Sequence, residues 1–132
     1  MRLIAYVDGG GEFEKRHAGI GVVIIEPDSG EVIWARGFDI GSATNNEAEY
    51  SAVIQCLYQA EMFGATELLV HSDSKLIVNQ INGDWQIHEN HLKDYYDEVK
   101  SEVAKLDKFE IKWVPRSQNQ MADGLARRVV ES

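Results

Sequence analysis

Four carboxylates stand where this sequence could do chemistry. Asp8 closes an apolar run, Leu3-Ile4-Ala5-Tyr6-Val7, and is followed by Gly9, Gly10 and Gly11. Glycines at such a point let another backbone, or a phosphate, approach the chain closely. Asp73 follows a second apolar run, Leu68-Leu69-Val70-His71, after one serine. Glu49 is the sharpest anomaly. On a wheel of about 100° per residue, Val53, Cys56 and Ala60 fall within about 40° of it, and Ala52 and Phe63 within about 60°. A carboxylate in the middle of an apolar stripe is costly unless it is paired or binds a metal. Glu47 falls on the opposite, polar side. Asp123 is less unusual. It flanks the apolar face made by Met121, Ala122, Leu125, Ala126 and Val129, with Asn119 one turn before and Arg127 one turn after. That spacing also fits a solvated Asp123 paired with Arg127.

Carboxylate oxygens without a His or Cys cluster suit a hard ion such as Mg²⁺ or Mn²⁺. Two such ions about 4 Å apart can clamp the attacking and leaving oxygens of a phosphodiester. Other chemistries find no support. His17, His71, His88 and His91 lack metal-ligand spacing, and the single cysteine, Cys56, excludes an internal disulfide. No Ser-His-Asp arrangement is evident, and the glycines at 9–11 are not followed by a P-loop lysine.

The elements around these residues form one pattern. Residues 2–7, 19–25 and 31–38 read as three strands of an antiparallel meander, the last two joined by the turn Pro27-Asp28-Ser29-Gly30. A helix runs from about 45 to 63. Thr44-Asn45-Asn46-Glu47 opens it as a capping box. Leu68 to His71 reads as a strand buried on both faces. Residues 74–80 and 90–106 read as helices, 109–114 as a fifth strand and 118–130 as a last helix. The order β-β-β-α-β-α-α-β-α predicts an α/β fold with a mixed five-stranded sheet, the last two strands parallel to the first. Asp8 and Asp73 would then emerge at one sheet edge, where open α/β sheets bind ligands.

With 132 residues and no linker or repeat, the chain reads as a single domain, 1–132. A hydrophobic content of 44% supports a core. The apolar runs are too short to cross a bilayer, and Asp8 interrupts the first before a signal-peptide core could form. These features predict a cytoplasmic, monomeric protein without a membrane partner. The formal charge of −9 argues at first against nucleic acid, whose binders are usually basic. Bound divalent ions would turn the most acidic spot into a phosphate-binding one, so the charge instead predicts weak, metal-dependent binding.

The motifs Tyr6-Val7-Asp8-Gly9, Thr44-Asn45-Asn46-Glu47-Ala48-Glu49, Ser72-Asp73-Ser74 and Asn119-Gln120-Met121-Ala122-Asp123-Gly124-Leu125-Ala126 resemble those of type 1 ribonuclease H in order and spacing. The resemblance covers nearly the whole chain. It implies the ribonuclease H-like fold and endonucleolytic hydrolysis of the RNA strand of an RNA/DNA hybrid, leaving 5′-phosphate and 3′-hydroxyl ends. It implies Asp8, Glu49, Asp73 and Asp123 as ligands of two Mg²⁺ ions, with Mn²⁺ as a substitute. Asp8 would bridge them, Glu49 and Asp73 would hold the ion facing the leaving 3′-oxygen, and Asp123 would serve the ion that activates water. Asn45 and Asn46 match residues that read the hybrid's minor groove, where the 2′-hydroxyl distinguishes RNA. The helix N-terminus near Thr44 suits a phosphate. Gly9, Ser74 and Asn119, within the same motifs, and Gly10, next to the first, complete the substrate-binding candidates.

Three departures from the family pattern stand out. The loop after Asp8 reads Gly11-Glu12-Phe13-Glu14-Lys15-Arg16-His17-Ala18 where many relatives carry Gly-Asn-Pro-Gly. Only 18 residues separate Asp73 from Leu92, leaving no room for the basic protrusion of the best-studied bacterial enzymes, as in archaeal-type members. The loop 115–119 has Arg116 in place of a mobile histidine. Arginine stays protonated at neutral pH, so Arg116 would position phosphate or assist product release. The altered loop motivates one rival reading, a catalytically silent domain that binds hybrid or a protein. Another rival is a nuclease of the same fold acting on structured DNA or double-stranded RNA. The simplest readings of the remaining residues are a solvated face for Arg127 and Arg128, a surface position for His17, core packing for Cys56, and packing for Trp34, Trp85 and Trp113. Contact of Trp85 with the DNA strand is the alternative.

Overall fold

The computed structural model describes residues 1–12 and 17–131. Its elements are β1 (Arg2–Glu12), β2 (His17–Ile25), β3 (Val32–Gly41), α1 (Asn45–Met62), β4 (Glu67–Ser72), α2 (Lys75–Ile81), α3 (Asn90–Val103), β5 (Lys108–Trp113) and α4 (Gln120–Glu131), with a 3-10 turn over Arg116–Gln118. The strands lie in the order β3-β2-β1-β4-β5. β1 and β3 flank β2 antiparallel, and β4 joins β1 and β5 in parallel. This is the mixed sheet that the element order predicts.

Every second residue of β1 and β4 points into the core. Leu3, Ala5, Val7, Leu68 and Val70 are buried, together with Val53, Cys56, Leu57 and Ala60 of α1. Burial drives Cys56 up to about 12, so its thiol stays protonated and inert, as its place on the stripe predicts. α4 covers the other face over β1, β2 and β3. Its approach depends on missing side chains. A Cβ on Gly21 would stand 2.1 Å from the Ala122 carbonyl oxygen, and one on Gly19 would stand 2.5 Å from that of Ala126. These glycines form a groove that takes the helix backbone itself.

Two strand expectations need correction. β1 does not stop at Asp8. Gly9, Gly10 and Gly11 continue it, paired with Ile20, Gly19 and Ala18 of β2. Hairpin hydrogen bonds outweigh the weak strand propensity of glycine, because the backbone needs a partner more than a side chain. β4 is not buried on both faces. Its residues alternate between buried and half-buried, because α4 leaves the outer face of β4 and β5 open. There His71 stacks on Tyr6, ring centroids 4.4 Å apart. His17 is not a plain surface residue either. Its Nδ1 lies 3.2 Å from Asp39 Oδ2 and its Nε2 lies 2.9 Å from the Val129 carbonyl, tying β2 to the end of α4. The departure at 12–17 falls largely on Phe13, Glu14, Lys15 and Arg16, outside the described residues.

Candidate active site

The site forms where β1 outlasts its parallel neighbour. The β1–β4 ladder ends at the pair Val7 and Ser72, and β1 continues five residues further with β2 on its other side. Backbone groups on that open edge need partners. The first two turns of α1 supply them. The Gly9 N–H donates to Glu49 Oε1, and the Gly11 N–H donates to Asn45 Oδ1 at 3.2 Å. The helix can come this close because position 9 has no side chain. A Cβ there would lie 2.3 Å from the Ala48 carbonyl oxygen. The helix start is fixed by the expected capping box. Thr44 Oγ1 accepts from the Glu47 N–H at 3.1 Å, and Glu47 Oε1 accepts from the Thr44 N–H at 2.9 Å.

Asp73 follows the last residue of β4. Its carbonyl oxygen accepts from the Trp113 indole at 3.1 Å, and its Oδ2 accepts from Asn119 Nδ2 at 3.2 Å. The same Asn119 nitrogen donates to the Val7 carbonyl at 2.9 Å. One buried amide therefore pins the ends of β1 and β4 together. Its Oδ1 has no hydrogen-bond partner among the described residues.

Asp8, Glu49 and Asp73 each present an oxygen to a common point, all within 4.8 Å of one another. They are the one such group of three potential metal ligands among the described residues. Asp8 and Glu49 are buried. Burial raises the Asp8 carboxyl to about 7, and the nearby Asp73 charge and a hydrogen bond with Asp123 push the same way. Burial raises Glu49 further, to about 9, with the Asp8 charge adding to it and the Gly9 N–H acting against it. Like charges this close resist ionising together. A hard divalent cation with oxygen preference fits the donor set and would displace the retained protons.

Asp123 differs. Arg127 Nη2 lies 3.0 Å from its Oδ2, and Arg116 Nη2 lies 3.9 Å from its Oδ1. The carboxylates open into a cleft of about 590 Å³. Of the residues nominated from sequence, Asp8, Glu49, Asp73, Asp123, Arg116, Gly9, Gly10, Asn45, Asn46 and Ser74 line it. Thr44 and Asn119 do not. Thr44 is occupied with its cap, and Asn119 is 1% exposed behind Asp73. Arg127 lines the cleft and was missed. Its i+4 spacing from Asp123 was the available signal, but it matched an ordinary surface pair equally well. Of the packing expected for the tryptophans, Trp85 and Trp113 show the amphipathic rather than the core form. Trp85 and Trp113 are 48% and 42% exposed, and Lys75 Nζ sits 4.7 Å from the Trp113 ring centroid.

No described helix is long and apolar enough to cross a membrane. Comparison with known proteins points one way. The profile of a family described as reverse transcriptase-like matches residues 6–129. The chain is 35% identical to a bifunctional protein of Mycobacterium tuberculosis over 132 residues, all of this chain and 36% of that protein. It is 33% identical to ribonuclease HI of Halobacterium salinarum over 130 residues, covering 98% of this chain and 65% of that one. The chain thus spans between about a third and two thirds of these curated relatives. The crystal structure of ribonuclease H1 from Halobacterium salinarum superposes with a TM-score of 0.95 at 33% identity, over 99% of this chain and 98% of that one. The N-terminal ribonuclease H domain of the Mycobacterium tuberculosis protein gives 0.92 at 35% identity, over 98% and 99%. A ribonuclease H1 recovered from compost, solved in complex with an RNA/DNA hybrid, gives 0.91 at 33% identity, over 98% and 96%. By fold, motif order and identity along its whole length, the chain belongs to the type 1 ribonuclease H family.

Proposed function

We propose that the protein hydrolyses the RNA strand of RNA/DNA hybrids, leaving 5′-phosphate and 3′-hydroxyl ends. The observation that carries this reading is the convergence of Asp8, Glu49 and Asp73 beside the helix start that presents Asn45 and Asn46. The hybrid-bound relative supports the choice of substrate. Asp8, Glu49, Asp73 and Asp123 would hold two Mg²⁺ ions, or Mn²⁺, which supply Lewis-acid stabilisation of the phosphodiester's attacking and leaving oxygens.

The chain's own groups position the reaction. The Gly9 N–H orients Glu49, and Asn119 fixes one oxygen of Asp73, which leaves the other for a cation. Asn45, already bound to the β1 edge, and Asn46 face the cleft, where they would read the RNA sugars. Gly10 leaves the floor beside Asn45 low enough for a backbone to approach, while the space at Gly9 is taken by α1. Ser74 would contact the strand beside Asp73, and Arg116, 73% exposed at the rim, would position a phosphate. The reading includes action as a monomer, with 1–132 as a single domain, and a cytoplasmic location.

The direct test incubates a labelled RNA/DNA hybrid, a DNA duplex and an RNA duplex with the protein in Mg²⁺ or Mn²⁺. Cleavage of the hybrid's RNA strand is expected. No cleavage of the hybrid in either metal overturns the reading, and preferential cleavage of the RNA duplex reassigns the substrate.

A further inference from the structure

The α4 wall of the cleft holds an arginine with no part in the reaction as described so far. Arg127 is half exposed, 54%, and pairs through Nη2 with Asp123. A guanidinium carries five donors in a planar fork that fits a phosphate as well as a carboxylate. The cleft does not end at Asp123. It continues along α4 past Ala126 and Arg127 to Val130 and Glu131. Among the described residues, Arg116 and Arg127 are the only basic side chains lining it. Arg127 stands on the helical part of that wall, at a fixed one-turn offset from Asp123, whereas Arg116 stands on the preceding 3-10 turn.

Asp123 lies between two competing partners. On one side is Asp8, which lines the same cleft. On the other are the two guanidiniums. A carboxylate that turned to a cation would weaken its hold on Arg127 and free the guanidinium. A phosphate of a strand lying along α4 would then compete for the fork with Glu131, one turn further on and in the same cleft.

We propose that Arg127 is a phosphate-binding residue for the nucleic acid, held on Asp123 in the metal-free protein and released when Asp123 turns to a divalent cation. This rests on the hybrid-binding reading above. The exchange keeps the arginine paired in both states. It also makes hybrid affinity depend on metal through a residue that touches no metal.

The test measures anisotropy of a labelled RNA/DNA hybrid in Ca²⁺ and in EDTA, with the RNA strand checked intact on a gel and each variant checked by thermal melting. Arg127→Ala should raise Kd about tenfold in Ca²⁺, the weight of one charge-assisted contact, and less than about twofold in EDTA. It should also reduce the slope of log affinity against log salt by about one in Ca²⁺. Arg127→Lys, which keeps charge without the fork, should recover part of the loss. Asp123→Asn should tighten binding in EDTA, and the double variant Asp123→Asn/Arg127→Ala should not. Equal effects of Arg127→Ala in Ca²⁺ and EDTA, or no effect in either, overturn the proposal while normal hybrid cleavage by the unmodified protein leaves its function standing. An unmodified protein that neither binds nor cleaves hybrid overturns both.

Discussion

The two walls of the cleft are built on opposite principles. On the wall of β1, β4 and α1, Asp8 and Glu49 are buried, and Glu49 and Asp73 are held by a backbone N–H and a buried amide. No basic side chain lines that wall among the described residues. On the α4 wall, Asp123 is already flanked by two guanidiniums that are more than half exposed. The first wall is rigid and short of positive charge. The second is balanced and adjustable. Hydrogen-bonded positioning is therefore concentrated where a first cation would bind, and exposed charge is left on the opposite wall.

The largest expected effect breaks the rigid wall. Asp73→Asn and Glu49→Gln should each lower hydrolysis by about 10³-fold or more, since each removes anionic charge from the cation site. Hybrid binding in Mg²⁺ should persist for Asp73→Asn, as a gel-shift assay beside the cleavage assay would show. The adjustable wall should tolerate change better. Asp123→Asn is expected to cost about 10- to 100-fold in kcat, and a loss as deep as that of Asp73→Asn would erase the distinction between the walls.

Asn119→Ala sharpens the comparison through stability. It removes the amide that joins Val7 to Asp73 and should cost about 1–3 kcal/mol in chemical denaturation, with a weakened affinity for the first cation. Asp123→Asn should leave denaturation nearly unchanged.

The smallest effect is a pH dependence. Asp8 and Glu49 hold protons more tightly folded than unfolded, with folded values near 7 and 9. The folded state therefore binds more protons between the unfolded carboxylate range and those values, and stability falls as pH rises through that window. In EDTA the melting temperature should drop by about 5 °C from pH 5 to pH 8, and excess Mg²⁺ or Mn²⁺ at pH 8 should restore it. A flat profile in EDTA would show that the carboxylates are not crowded.

Much of this architecture was legible in the residues. Glu49 announced itself as an acid on an apolar stripe, and the capping box fixed where its helix begins. The alternation of late strands and helices gave the parallel pairing of β1 with β4. Other features were hidden because they depend on partners distant in sequence. Gly9 to Gly11 read as a strand end, since their strand character comes from β2 alone. The half-open β4 depends on where α4 comes to rest. Asn119 read as a residue facing substrate, yet the fold buries it between two strand ends. Arg127 read as solvated surface because one helix turn does not reveal which groove the helix borders.

The open edge of β1 has one more consequence. Glu49 and Asn45 lie one helical turn apart, a rise of about 6 Å, and the N–H groups they hold lie two strand residues apart, about 7 Å. The two repeats nearly match, so helix and strand mesh like a rack and pinion cut to the same pitch. A sugar recognised at Asn45 would stand at a set offset from the bond poised at Glu49. In the proposed reaction, the gauge for the cut would thus be written in backbone spacing, which no side-chain substitution can lengthen.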